Sequence, residues 1–225
     1  MEIFRFVVNR LEENTYVAAS QPGRCVVVDP GFLEPEESAS VAGFFRSKGL
    51  KPEAILLTHG HMDHIYGAAA LQREYGIPVY MSSQDKPIMT YFTRWAKYGI
   101  PTADTGFTTT DVTDGEVLEL AGMKFRAIAT PGHTPGGFCY YEEDSAALFT
   151  GDTLFAGAIG RTDLEGGDYD SLIKSIMEKL ILLSGDVNVY PGHGPQSTIG
   201  TEMTTNPFLE PFNEREEIPE LNEDR

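Results

Sequence analysis

Apolar and polar positions change period several times along the chain, and each change marks an element. Residues 2–8 (Glu-Ile-Phe-Arg-Phe-Val-Val), 15–19 and 24–29 are short runs rich in β-branched and aromatic side chains. Separated by polar residues 9–14 and by Gln21-Pro22-Gly23, they read as three successive strands. Val41, Phe44 and Phe45 then fall on one helical face, with Gly49 as the stop. The apolar run Ala54-Ile55-Leu56-Leu57 predicts a buried strand. A helical pattern covers 65–75 and stops at Gly76, and 78–81 is another short strand. The second half repeats the alternation of strand and turn, with strands expected over 117–120, 123–130, 138–141 and 146–150. Residues 169–183 carry the clearest helical stripe (Leu172, Ile173, Ile176, Met177, Leu180, Ile181), with Asp170 as the expected N-cap. A last strand is expected over 186–190.

Two segments do not follow this alternation. Residues 84–110 combine Met89, Tyr91, Phe92, Trp95 and Tyr98 with Pro87 and Pro101. They suit a helical insert covering a site or plain surface packing, with nothing to separate the two. From Asn206 the chain becomes acidic and proline-broken. We therefore expect a single domain over 1–205 and an acidic tail over 206–225, in which only Pro207-Phe208-Leu209 docks.

Composition narrows the class of protein. With 41% hydrophobic residues in 225, a substantial core is affordable and disorder is not indicated. The formal net charge of -17 would repel a phosphate backbone, so nucleic acid is not an expected partner. Glu2, Arg5 and Arg10 interrupt the first apolar run, so neither a signal peptide nor a membrane span is expected. Cys25 and Cys139 are too few for a disulfide framework, which suits a cytoplasmic protein.

The candidate chemistry lies in the histidines. There are five, and three fall within His59-Gly60-His61-Met62-Asp63-His64. The others occupy matching settings, Thr130-Pro131-Gly132-His133 and Tyr190-Pro191-Gly192-His193. Imidazole with carboxylate is the usual donor set for a transition metal near neutral pH. Each candidate follows an apolar strand: 54–57 leads into His59, 125–129 into His133, 147–149 into Asp152 and 187–189 into His193. A sheet can gather distant residues in this way.

His59 and His61 can converge on one ion with His133. Asp63 and His64 would point elsewhere and hold a second ion with His193. Asp152 suits a carboxylate bridging the two, although a turn or cap role also fits it. Asp63 and Asp152 are the carboxylates expected at the reaction itself. Two ions about 3.5–4 Å apart can share a water and lower its pKa toward neutrality. Two divalent ions, two aspartates and one hydroxide sum to about +1, which suits a small anionic substrate or a developing oxyanion. Zinc is the first expectation, with iron or manganese also suited to oxygen and nitrogen donors. Asp29, ending Val26-Val27-Val28, either supports the ligands or starts the turn at Pro30-Gly31.

Together the Thr-His-x-His-x-Asp-His box, the later His133, Asp152 and His193, and Val28-Asp29-Pro30-Gly31 resemble the metallo-β-lactamase superfamily. The resemblance implies an α/β fold, a four-layer αββα sandwich with the site at one edge between two mixed sheets. Within it, Thr130–Gly136, Phe149–Phe155, Gly160-Arg161-Thr162-Asp163-Leu164 and Pro191–Pro195 are most similar to glyoxalase II and its short bacterial relatives. That likeness implies attack by a metal-bridging hydroxide on a thioester carbonyl, with one ion polarising the oxygen and thiolate leaving.

Glyoxalase II also carries a C-terminal helical domain whose basic and aromatic residues hold glutathione. Here residues 194–225 contain only Arg215 and Arg225 as basic residues, so glutathione is not implied with the same force. Arg161 could clamp a substrate carboxylate, although Asp163 and Asp168 offer it structural salt bridges. Lactones and other activated acyl compounds are neighbouring substrates. A mononuclear iron persulfide dioxygenase on the same scaffold is the alternative class, sharing the Gly-Arg-Thr-Asp loop but differing after the last histidine. A nuclease of the superfamily fits poorly with the charge. Oligomeric state is not legible.

Overall fold

A computed structural model describes residues 1–20, 23–99 and 101–210, apart from the side chains of Phe92, Trp95 and Tyr98. In chain order its elements begin with β1 (Glu2–Val8), β2 (Glu13–Ser20), β3 (Arg24–Val28), α1 (Pro35–Lys48) and β4 (Lys51–Leu56). Next come α2 (Met62–Ile65), α3 (Ala68–Tyr75), β5 (Val79–Tyr80), α4 (Lys86–Tyr91) and β6 (Thr109–Thr110). The second half holds β7 (Val117–Leu120), β8 (Met123–Ala129), β9 (Phe138–Glu142), β10 (Ala147–Gly151), β11 (Leu154–Phe155) and β12 (Ala158–Ile159). It closes with α5 (Tyr169–Ser175), β13 (Asn188–Pro191), β14 (Ser197–Thr198) and α6 (Ile199–Thr205).

Two six-stranded sheets form, ordered β1-β2-β3-β4-β5-β6 and β14-β13-β10-β9-β8-β7, with β11-β12 as a separate ribbon. Both large sheets are mixed. β3, β4, β5 and β6 run parallel, as do β10 and β13, and the other neighbours pair antiparallel. Parallel neighbours need crossovers, which α1 supplies between β3 and β4 and α5 between β10 and β13.

The strand sequences explain the layering. In β3, Val26 and Val28 face the other sheet with Ala54 and Leu56 of β4, while Cys25 and Val27 face outward with Ile55 toward Val41 and Phe45 of α1. In the second sheet, Phe138, Tyr140, Ala147 and Phe149 face inward, and Cys139, Tyr141 and Leu148 pack outward on Leu172, Ile173 and Ile176. Strands buried on both faces need continuous apolar runs, as these sequences provide. Three apolar layers between four layers of structure make an αββα sandwich, as expected.

Several local expectations are corrected. The helix expected over 65–75 is two, α2 and α3, broken at Tyr66-Gly67. There Phe32 occupies the space a side chain on Gly67 would need, and Gly67 donates its N–H to Pro30 O. The helix expected over 169–183 ends its α-helical part at Ser175 and continues as a π-turn over Ile176–Leu180. Its N-cap is Asp168, which accepts from the Ser171 N–H, and not Asp170.

The 84–110 segment is helical through Tyr98 and then adds β6 to the first sheet. Met89 is buried in it, whereas the side chains of Phe92, Trp95 and Tyr98 lie outside the described residues. Gln21 and Pro22 of the expected turn lie outside them too, as do residues 211–225 of the expected tail. Asn206 and Leu209 are buried, while Phe208 is exposed. Among the described residues no helix is long and apolar enough to cross a membrane.

Candidate metal centre

Strand direction gathers the chemistry. The parallel pair β3 and β4 delivers Asp29 and His59 to one edge of the first sheet. In the second, β8 and β10 both run antiparallel to β9 and therefore share a direction, which β13 follows. Their carboxyl ends lead into His133, Asp152 and His193. The edges are stitched together by Phe138 N–H to Thr58 O (2.8 Å) and Asn14 N–H to Gly192 O (2.7 Å).

The seven candidates converge in two groups, His59-His61-His133 and Asp63-His64-His193. Asp152 lies between them. Its Oδ1 is 3.3 Å from His64 Nε2, and its Oδ2 is 3.5 Å from His133 Nε2 and 3.7 Å from His193 Nε2. Asp63 Oδ2 stands 3.2 Å from His193 Nε2 and 3.6 Å from His64 Nε2. Close approach requires glycine at two points. At Gly151 (φ +47°) a side chain would overlap Thr58, and at Gly192 it would overlap Asp152 and His64. A third grouping, Asp29-His59-His64, also converges. In it Asp29 is already committed, because Oδ1 accepts from Thr58 N–H (2.7 Å) and Oδ2 from Thr58 Oγ1–H (2.6 Å) and His64 Nδ1 (3.0 Å). Asp29, at φ +47°, is thus both the turn residue and a support for the cluster.

The outward hydrogen bonds decide which nitrogens face inward. Carbonyl oxygens only accept, so His133 Nδ1–H donates to Arg161 O (2.7 Å) and His193 Nδ1–H to Leu11 O (3.0 Å). His64 Nδ1–H donates to Asp29, and His59 Nδ1–H donates to Thr58 Oγ1 (3.0 Å), whose own proton is on Asp29. All four rings therefore turn Nε2 inward.

His59 Nε2 and His133 Nε2 both approach His61 Nδ1, at 3.0 and 2.9 Å. Burial and the neighbouring histidines hold His59 well below the usual imidazole range and His61 down to about 3, so these rings are neutral at pH 7. His61 Nδ1 thus has two inward ring nitrogens within 3.0 Å and can donate to at most one of them. A cation among them satisfies all three lone pairs. Beside them, His64 Nε2 and Asp152 Oδ1 are buried without a hydrogen bond of good geometry. The donor set thus fits metal, and all of it is nitrogen and oxygen.

Charge balance in the second group differs. Burial disfavours a charged His64, but Asp152 and Asp63 override it and raise its pKa well above the ordinary value. His193 is raised by Asp63 and Asp152, again against burial. Asp152 and Asp63 are lowered despite burial, mainly by His64.

Two supporting carboxylates escape sequence reasoning. Glu13, fully buried at the start of β2, accepts from Thr15 Oγ1–H (2.9 Å), lies 3.9 Å from His64 Nδ1 and forms a backbone bridge with His193. Asp85, also fully buried, accepts from Gly60 N–H (2.8 Å), Gly136 N–H (2.6 Å) and Thr134 Oγ1–H (2.7 Å). It therefore joins the loop of His59 and His61 to that of His133. Neither sits in a motif, and their roles follow only from tertiary contacts. Arg161 lines the cleft but is bound side-on to Asp163 (2.7 Å twice), while Asp168 is occupied at the helix cap.

The family model of the metallo-beta-lactamase superfamily matches residues 8–193. The chain belongs to that superfamily. It is 35% identical over 212 residues to the hydroxyacylglutathione hydrolase GloC of Haemophilus influenzae, covering 93% of this chain and 98% of GloC. Among solved structures, the BLEG-1 B3 metallo-beta-lactamase is 35% identical with a TM-score of 0.84, over 92% of this chain and 99% of that one. TTHA1623, solved in a di-iron-bound form, is 36% identical with a TM-score of 0.81, over 92% and 100%. The chain is thus a metallo-hydrolase of this superfamily with a histidine-rich site for metal ions.

Proposed function

We propose that this protein cleaves a small thioester with two divalent ions, one held by His59, His61 and His133 and the other by Asp63, His64 and His193, with Asp152 reaching both. The observation that carries this reading is the position of Asp152, whose carboxylate lies within 3.7 Å of His133 in one ligand group and of His64 and His193 in the other. When bound, the ions would supply a hydroxide at neutral pH and polarise an acyl carbonyl.

The protein's own residues do the rest. Neutral His59 and His61 offer lone pairs without first losing a proton. Outward hydrogen bonds to Asp29, Thr58 and the carbonyls of Arg161 and Leu11 hold the rings in register. Leu11, Met62, Tyr66 and Leu164 line a cleft of about 540 Å³ together with His61, Asp63, His133, Asp152 and His193. With the histidines, Asp63 and Asp152 all assigned to metal and the Tyr66 hydroxyl donating to Pro101 O (3.2 Å), the described cleft offers no further general acid. This supports a leaving group that departs as an anion. A thiolate, with a parent pKa of about 8.5, does so far more readily than an amine.

Zinc fits the donors, and so does iron, which the di-iron form of TTHA1623 supports. The net charge of -17 supports a small-molecule substrate over nucleic acid. The test is hydrolysis of S-lactoylglutathione and a thioester panel by protein whose metal has been counted. Turnover that falls at least a hundredfold in Asp152→Ala and His61→Ala is expected. A single iron per chain with oxygen uptake would instead establish the dioxygenase.

A further inference from the structure

We infer that the substrate's non-reacting part is apolar and uncharged, with Leu11 and Leu164 as the residues that select it; this rests on the thioesterase reading above. Apart from the metal-ligand candidates, the described cleft is lined by Leu11, Met62, Tyr66, Leu164 and Arg161. Four of these five are apolar or aromatic. The Tyr66 hydroxyl is occupied by Pro101 O.

Arg161 adds no net charge. Its Nε and guanidinium nitrogen bind both oxygens of Asp163, and both side chains are largely exposed. Among the described residues lining the cleft there is no other lysine or arginine to meet a carboxylate tail. The overall charge of -17 opposes one further.

Leu11 is the most telling member. It is 64% exposed at the tip of the β1–β2 hairpin, where an apolar side chain gains nothing for the fold. The tip is nevertheless firmly held. Asn9 Nδ2 donates to Gly31 O (3.0 Å) and Asp63 O (3.1 Å), and Leu11 O accepts from His193 Nδ1–H. An exposed leucine is therefore held beside the ligand loops, and its side chain takes no part in the hydrogen bonds that anchor the tip, which run through Asn9, the Glu37 carboxylate and the Leu11 carbonyl. Leu164, next to Asp163, lines the same cleft, so the two leucines share it with the ligand candidates His61, Asp63, His133, Asp152 and His193.

The experiment compares neutral N-acetylcysteamine thioesters of rising acyl length, from acetyl to hexanoyl, with S-lactoylglutathione, on metal-saturated full-length protein. Burial of each added methylene against these walls should raise kcat/KM about three- to fourfold until the cleft is filled. Leu11→Ser and Leu164→Ser should flatten that slope. Leu11→Ser keeps the backbone carbonyl that holds His193, so a folding defect would not explain its effect. A flat series, or S-lactoylglutathione cleaved faster than every neutral thioester, would overturn the inference while leaving the thioesterase intact. Failure to cleave any thioester would overturn the thioesterase reading and the inference with it.

Discussion

Asp85 gives the sharpest test of how the centre is held. Its carboxylate is the only described acceptor for Gly60 N–H, Gly136 N–H and Thr134 Oγ1–H, all three buried. Asp85→Ala would leave three buried donors without partners, at about 1–3 kcal/mol each when no compensation occurs. Two effects reduce the sum. Burial already pushes the Asp85 carboxyl above its ordinary value, against its three hydrogen bonds, so removing it also removes a desolvation cost. The Thr134 hydroxyl is free to rotate to another acceptor. The net loss should be about 3 kcal/mol, equivalent to about 6–12 °C in Tm for a chain of this size.

Asp85→Asn separates the oxygens. With its carbonyl in the Oδ2 position it keeps Gly60 and Thr134, but it sets an amide N–H against the Gly136 N–H. It should cost about 1–2 kcal/mol, between wild type and alanine. Urea unfolding of chelated protein, with fluorescence and circular dichroism transitions compared for coincidence, measures both. The alanine variant should also hold its ion at His59, His61 and His133 more weakly, because the two ligand loops are no longer tied. A loss below about 0.5 kcal/mol, the range of neutral surface changes, would refute the role of Asp85 as the tie.

Two further outcomes follow from the same contacts. Asp29→Asn replaces an acceptor for His64 Nδ1–H with an amide that can present N–H to it, and should weaken metal binding about 10- to 100-fold; competition with a chromophoric chelator measures this, and unchanged affinity would count against the support role. Acid should release the ions in two steps. Without metal, the His64 and His193 pKa values lie above the ordinary imidazole value, so protons compete for those nitrogens from a higher pH; His59 and His61 are depressed, the latter to about 3, so their group resists protonation. Metal content after dialysis across a pH series should fall from two to one and then to zero, and simultaneous loss would contradict the asymmetry. The same shifts bear on metal-free stability. The depressed His59 and His61 destabilise the folded chain as pH falls below about 6.5 toward their folded values, whereas the contribution of a raised His64 is lost as pH rises through its folded value.

Much of this arrangement was legible in the sequence because it depends on local pattern. Continuous apolar runs such as Val26-Val27-Val28 and Ala54–Leu57 signalled strands buried on both faces, and the polar residues just beyond them marked one edge of the sandwich. The gathering of the histidines at that edge was legible for the same reason: each follows closely on a strand or its turn. What escaped depends on contacts distant in sequence. Gly67 breaks a helix because Phe32 fills its space, and nothing in residues 62–75 announces Phe32. Asp168 replaces Asp170 as the cap because the helix start is set by Asp168 N–H bonding to Gly132 O. Glu13 and Asp85 lie 49 or more residues from partners such as His64 and Thr134, and a lone acid carries no sign of such a role. The short strands β6, β11, β12 and β14 span two residues each, too few for a period to show.

The measurement that bears most directly on the central claim is the number of divalent ions bound per chain at saturation, determined by elemental analysis of dialysed protein against an accurate protein concentration. Two ions per wild-type chain, with loss of at least one in Asp152→Ala, is the expected result. One ion per chain that does not rise under excess zinc or iron, and that Asp152→Ala retains in full, would contradict it.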